Sequence, residues 1–541
     1  MRLNLSFSPW SESLRPAVVC VLLSGLLAGC GGGESQAWVP APAAPPIIPG
    51  PDPLLARQWH LFNTGQGGGV SGMDLGLQGV AETGLGVLIA FIDGAVQIGH
   101  PDLVANLYTT NGLLPTPDPS PPSAPANAPY NNRAGEWDDA HGTAVVGIAV
   151  ASAGNSLGGR GVAPEARFMA FDGLSRGQIA QSLRSAISLG ADIVNNSWGT
   201  FDGTSGQGAS YSPADPGWRQ ALDEALASGR QGKGAVIVFA AGNGGPQDDS
   251  NRDGYANHPG VLAVAAVDAW GRPQAYAEPG SNVLVSAPSG PLPSTADSAT
   301  SIWTTDITGP RGLSGGMSAP AADYSAFPAG TSASAPMVSG VVALMLQAHP
   351  ALSWRDVRWL LAKTARPADL GTLQVQASPM NAHGFHPLVG FGRVHAGDAV
   401  AAAAVFSGLP SERRCDSDLL AVEAPIGDTP APPVSAVHRF ADCGIRVVES
   451  VQVTVYAEHA YAADLHIELA SPVNNVSVLG RSHFCSADVQ GPCGDLSRGW
   501  TFHSVGHMGE QATGPWRLQI QDRQPGDAGR WRAWRLVLTG H

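Results

Sequence analysis

Residues Gly330-Thr331-Ser332-Ala333-Ser334-Ala335-Pro336-Met337-Val338-Ser339-Gly340 run on into Val341-Val342-Ala343-Leu344-Met345-Leu346 and end at His349-Pro350. Small or apolar side chains all round each turn are the pattern of a helix buried on every face. Pro336 falls in the first turn, where its missing N–H costs nothing. Ser332 therefore stands at the start of a buried helix, where free backbone N–H groups and the helix dipole favour negative charge. A hydroxyl so placed can attack a carbonyl while neighbouring amides hold the oxyanion. A serine-rich helix start without chemistry is the plainer reading, so the rest of the chain must decide.

Upstream, Gly86 to Ile92 is a continuous apolar run ending in Asp93-Gly94. Such runs are buried parallel strands, and ligand-facing residues of parallel sheets lie at strand C-termini. Asp138-Asp139-Ala140-His141-Gly142-Thr143 sets a histidine at the opening of a small-residue helix, and Val236 to Ala241 is another buried strand, followed by Gly242-Asn243-Gly244-Gly245. The order Asp93, His141, Ser332 resembles that of subtilisin-like serine proteases. The wording around Ser332 is similar to the kexin/furin branch. The resemblance implies an α/β subtilisin-like domain with a parallel sheet, in which Ser332 is the nucleophile, His141 the base and Asp93 its orienting carboxylate. Asn243 takes the side-chain donor of the oxyanion hole. Ile193 to Gly199 resembles the family's edge segment, which implies that Ser197, Trp198 and Gly199 pair with an extended substrate by strand addition.

Asp248 to Tyr255 parallels a kexin loop, one residue shorter and with Ser250 and Arg252 where that family has cysteines. By this resemblance Asp253 and Asp202 floor the S1 pocket, and a buried anionic floor selects Arg or Lys. Asp138 keeps one acid for a mild basic preference at S2. Gly94 and Leu174 stand where family members carry further acids. The resemblance also implies calcium. One site joins Asp202, Asp249 and Glu278, with Asp248 an alternative alignment to Asp249. A second joins Asp52, Asp102, Asn155 and the carbonyls of Leu157 and Gly159.

At 541 residues the chain exceeds one ordinary domain. Lys+Arg 30 against Asp+Glu 44 gives a net charge of −14, which argues against a nucleic-acid partner and suits cationic substrates or calcium. Arg2 and Arg15 precede an apolar run from Ala17 to Leu27, too short to span a membrane as a folded helix but right for a signal-peptide core. It ends Leu27-Ala28-Gly29-Cys30, which resembles the lipobox of bacterial lipoproteins and implies lipidation of Cys30 on a Gram-negative membrane. The domains expected are a signal over 1–29, a Gly/Pro-rich tether over 30–51, the catalytic domain over 52–408 and a β domain over 409–541. So short a piece as 30–51 holds no compact core, so no cleavable prodomain is expected, and folding is autonomous or assisted by a separate chaperone.

Four of the six cysteines, Cys415, Cys443, Cys485 and Cys493, lie in the last quarter. They allow three pairings; the pairs nearest in sequence, 415–443 and 485–493, are expected. In the same quarter Leu465, Ile467 and Leu469 alternate with His466 and Glu468, as Trp516, Leu518 and Ile520 do with Arg517 and Gln519. This is half-buried antiparallel strand, hence an all-β sandwich or jelly roll. Asp464 to Pro472, Trp500 to Val505 and Gly514 to Leu518 resemble the P domain of proprotein convertases. The leading expectation is a calcium-dependent serine endopeptidase cleaving after basic residues. The alternatives are a subtilase without basic specificity and an inert protease serving as a lipid-anchored binding protein.

Overall fold

In a computed structural model of the chain, contacts divide Met1–Ala37 from Trp38–His541. The structure describes residues 50–109, 137–174, 177–200, 210–292, 299–309, 312–313, 323–326, 328–371, 383–483 and 496–541, with backbone alone at 137–139. The signal, Cys30, Asp202, Cys485, Cys493 and the Asp138 side chain lie outside the described residues.

Six apolar segments, β1 (Leu88–Asp93), β2 (Arg167–Asp172), β3 (Ile193–Asn196), β4 (Val236–Ala240), β5 (Val261–Val267) and β6 (Val283–Pro288), form a parallel sheet in the order β2-β1-β3-β4-β5-β6. Because strand side chains alternate, each strand feeds two cores. Ile89, Phe91, Val236 and Val238 face one side; Leu88, Ala90, Ile92, Ile237 and Phe239 face the other. Helices α2 (Ile179–Ser188) and α3 (Pro216–Gly232) cover the second side through Leu183, Trp218 and Leu222. The first is covered by α1 (Trp137–Val150), α4 (Thr331–Ala348), α5 (Trp354–Thr364) and α6 (Ala396–Val405). A two-stranded pair, β7 (Thr304–Thr305) with β8 (Tyr324–Ser325), rests beside α1.

The helix expected around Ser332 is α4. From Thr331 to Leu346 every side chain is buried except that of Ser332. Each fully buried Leu, Met or Val contributes about 1.5–3 kcal/mol, so α4 anchors the layer as well as the site. Gly340 lets it lie close to the chain before β2, since a Cβ there would meet Val162 at 2.5 Å. The strand order reverses between β1 and β3, and a crevice at such a switch point, outside the strand C-termini, is where open α/β sheets bind ligands.

After α6 the chain becomes all-β, as its alternation predicts. One sheet runs β10 (Leu420–Ile426), β17 (Gly529–Gly540), β12 (Val448–Glu458) and β15 (Trp500–Ser504), with β9 (Arg413–Asp416) also on β17. The other runs β11 (Val434–Phe440), β16 (Gly514–Asp522), β13 (Leu465–Ala470) and β14 (Val476–Gly480). All pairs are antiparallel, and Val453, Leu465, Trp516 and Trp534 fill the space between the sheets. Cys415 and Cys443 are disulfide-bonded with their Cα atoms 5.6 Å apart, as expected for that pair.

Candidate active site

Asp93 closes β1, and α1 brings His141 over it, with His141 Nδ1 2.8 Å from Asp93 Oδ1. A carboxylate only accepts, so Nδ1 carries the proton and Nε2 keeps a lone pair. Gly142 permits this approach: a Cβ there would strike the Ala95 carbonyl oxygen at 2.5 Å.

Ser332, in the first turn of α4, exchanges hydrogen bonds with the residue after β3. Its Oγ donates to the Ser197 carbonyl at 3.0 Å, and Ser197 Oγ donates to the Ser332 carbonyl at 2.9 Å. Ser197 Oγ also accepts from Asn195 Nδ2 at 3.0 Å, and Asn195 Oδ1 accepts from Ser339 Oγ at 2.8 Å. A chain of buried polar groups thus ties the nucleophile's backbone to β3 and back to its own helix.

Asn243 follows β4. Its Oδ1 accepts from the Thr331 N–H at 2.8 Å and from Thr331 Oγ1 at 3.1 Å. The backbone N–H can only donate, which fixes the amide: Oδ1 caps α4 and Nδ2 points the other way. The helix's own N-cap residue, Gly330, has φ 77° and no side chain to cap with, and a Cβ on it would come within 3.0 Å of Asn243 Oδ1. Glycine here therefore serves both the backbone conformation and the close approach of Asn243.

Trp198 turns its indole inward. Nε1 donates to the Ile92 carbonyl at 2.8 Å and the ring meets Phe239 and Tyr255 edge-on. Only its backbone, with that of exposed Gly199, is left for an extended peptide. Asp253 sits directly behind: Oδ2 accepts from the Thr200 N–H at 2.9 Å, and a Cβ on Gly199 would lie 2.7 Å from it. Oδ1 accepts from the Tyr255 N–H at 2.7 Å, so the carboxylate is held rigidly at the exit of β3.

The residues expected to hold one calcium ion converge. Asp52 accepts from the N–H groups of Gly154 at 2.9 Å and Asn155 at 3.2 Å, while Asn155 Nδ2 donates to Asp102 Oδ1 at 2.7 Å. The carbonyls of Leu157 and Gly159 flank that of Gly158, which accepts from Leu54. Asp102 Oδ2 is buried with no hydrogen bond of good geometry, and burial, with the charge of Asp52 and against the hydrogen bonding of Asn155 and Tyr324, pushes its carboxyl up to about 8. An orphaned carboxylate oxygen beside a second carboxylate and amide oxygens fits a hard divalent cation.

The other expected cluster needs a correction. Glu278 Oε1 accepts from the Gly244 N–H at 2.9 Å, and the Asp248 carboxylate lies 2.8 Å from where a Cβ on Gly244 would be. Asp249 instead caps a 3-10 turn over Ser250–Arg252, its Oδ1 accepting from the Asn251 N–H at 3.0 Å. Its Oδ2 faces Arg481 Nε at 3.7 Å. Burial raises the Asp249 carboxyl to about 6 against the pull of Arg481 and Arg252. That turn swings Asp249 to the β domain and leaves Asp248 as the acid beside Glu278.

Chemically, these parts can serve as a nucleophile at a helix N-terminus, an oriented imidazole, an amide donor and a strand edge backed by an acid. The family model "Subtilase family" matches residues 84–392 and "Proprotein convertase P-domain" matches 448–538. A calcium-dependent protease of Trichormus variabilis is 31% identical over 89% of this chain and 70% of its own length. Neuroendocrine convertase 2 of Rattus norvegicus is 30% identical over 90% and 74%. The crystal structure of a serine protease of Aeromonas sobria superposes with a TM-score of 0.74 at 26% identity, covering 94% of this chain and 99% of that one. That protease has also been solved in complex with a chaperone. The chain belongs to the subtilase family: it is a serine protease of the proprotein-convertase type, with a P domain following its catalytic domain.

Proposed function

We propose that this subtilase is an exported endopeptidase that cleaves proteins after Arg or Lys and binds calcium. Ser332 Oγ rotates from the Ser197 carbonyl to His141, which takes its proton as the O–C bond to the scissile carbonyl forms. Asn243 Nδ2 and the backbone N–H of Ser332 hold the oxyanion, since the Thr331 N–H is already taken by Asn243 Oδ1. His141 returns the proton to the leaving amine as the C–N bond breaks, and water then attacks the acyl-enzyme through the same base. The observation that carries this reading is the 2.8 Å contact of His141 Nδ1 with Asp93 Oδ1. An intact pair of this kind also weighs against the inert binding-protein alternative.

Asp253, with Asp202, takes the P1 guanidinium or ammonium, and Asp138 gives a mild preference at P2. Asp52, Asp102, Asn155 and the carbonyls of Leu157 and Gly159 hold one calcium ion; Asp248, Asp202 and Glu278 hold another. Bound calcium neutralises carboxylates that otherwise repel one another. Cys30 carries a lipid, Cys485 pairs with Cys493, and a separate chaperone assists folding, a reading supported by the complex of the Aeromonas protease with a chaperone.

The test is a peptide-library profile of wild type, Ser332→Ala and Asp253→Asn. Activity is expected to vanish in Ser332→Ala. Asp253→Asn should lose P1 Arg/Lys substrates by about a hundredfold while still reacting with a fluorophosphonate. Equal wild-type cleavage after Phe or Leu would leave only a general subtilase.

A further inference from the structure

The loop carrying Asp253 is buried by the P domain. Asn251 is its pivot. The Asn251 carbonyl accepts from Trp500 Nε1 at 3.0 Å, Oδ1 accepts from the His503 N–H at 2.8 Å, and Nδ2 donates to Ser281 Oγ at 2.8 Å. Ser281 Oγ donates in turn to the His503 carbonyl at 2.8 Å. One residue on, the Arg252 guanidinium donates to the Arg481 carbonyl and lies 3.6 Å from Asp248, while Arg481 faces Asp249 at 3.7 Å. The Ser212 N–H donates to the Arg252 carbonyl at 2.9 Å, and neighbouring Tyr211 rests on Trp500 with ring centroids 5.1 Å apart. Asp248 through Arg252 are each 2% exposed or less. Ser250 is held from the catalytic side, its N–H donating to the Pro279 carbonyl at 2.9 Å and its Oγ accepting from Asn282 Nδ2 at 3.0 Å, whereas Asn251 and Arg252, the two residues immediately before Asp253, are held by the P domain as well.

We infer that Trp500 and Arg481 of the P domain are positioning residues for P1 recognition, acting through Asn251 and Arg252 on the placement of Asp253. The inference rests on the reading of Asp253 as the S1 floor. It goes beyond a stabilising role, because general loosening lowers the active fraction for all substrates alike. A shift of Asp253 penalises only substrates whose P1 charge must meet it. Arg252 stands where the family resemblance predicts a cysteine, so an ionic clamp across the domain boundary to Arg481 fixes the loop in this chain.

The test uses the full chain and two peptide substrates differing only at P1, Arg against Phe, with active enzyme counted by fluorophosphonate titration of Ser332. Trp500→Phe keeps the ring on Tyr211 and removes only the N–H to Asn251. Arg481→Met removes the cation facing Asp249, and Arg481→Lys restores it. Trp500→Phe and Arg481→Met are expected to lower the Arg/Phe ratio of kcat/KM by about two- to tenfold, the worth of one hydrogen bond. Arg481→Lys should recover most of the loss. Ser281→Ala, a milder change on the catalytic side, should move the ratio the same way and serves if the others do not fold. A wild-type ratio in these variants, while Asp253→Asn collapses it, overturns the inference. A ratio unmoved in Asp253→Asn overturns the S1 reading itself, and the inference with it.

Discussion

In the proposed mechanism Asn243 does two jobs through the two ends of one amide, and substitution can separate them. Its Oδ1 caps α4 by accepting from the Thr331 N–H at 2.8 Å, and Nδ2 is the oxyanion donor proposed above. Asn243→Asp keeps an acceptor for Thr331 and replaces the donor with a second carboxylate oxygen. Losing one donor aimed at a developing oxyanion costs about 10²–10³ in kcat, and a negative charge there can only add to the loss. Ground-state binding along the 197–199 edge is untouched, so KM should change little. Asn243→Ala removes both jobs: the same kcat loss, plus the cap, at about 0.5–2 kcal/mol of stability. Stopped assays with a P1-Arg amide, corrected by active-site titration, give kcat and KM; calorimetry gives Tm. The expected signature is two slow variants, Asn243→Asp at least as slow as Asn243→Ala, of which only Asn243→Ala melts earlier. If Asn243→Asp kept kcat within about threefold of wild type, the amide would be a cap and nothing more.

Chelation should lower both Tm and turnover, reversibly on adding calcium, because it leaves Asp52 and Asp102 sharing a buried site. Asp102→Asn should then stabilise the chelated protein while weakening calcium binding; a variant less stable than wild type in chelator would show that Asp102 has another partner. Replacing Cys415 and Cys443 together by serine should cost about 2–4 kcal/mol in denaturant unfolding of the P domain, since the bridge closes a long loop.

The parts legible in the sequence were those written in local pattern. The all-round apolar run after Ser332, the strand ending at Asp93 and the alternation of Leu465 to Leu469 each specify burial by period alone, and α4, β1 and β13 follow them closely. Nearness in sequence was enough for Cys415 and Cys443. Asp248 and Asp249 stayed open alternatives because the loop is a residue short, and which of two adjacent acids faces Glu278 depends on a 3-10 turn that no period signals. The backbone pairing expected of 197–199 leaves the Trp198 indole to pack inward, because a strand edge binds through backbone while its side chains obey the packing beneath. Trp500 and Arg481 carried no local sign at all. The one clue was Arg252, a cation where family resemblance expects a thiol.

That clue connects the two halves of the molecule. A buried guanidinium must find anions and acceptors or forfeit its solvation, and Arg252 finds them in Asp248, on its own loop, and in the Arg481 carbonyl, on the P domain. Asp249, drawn away from Glu278, meets the Arg481 side chain. Neutralising this cluster therefore requires both domains, and the segment it neutralises ends at the acid placed behind the substrate edge. Burial, charge balance and the position of Asp253 are satisfied by one set of contacts, so a P domain that is detached or shifted is expected to change the proposed pocket before it changes the Asp93–His141 pair, which is carried on β1 and α1.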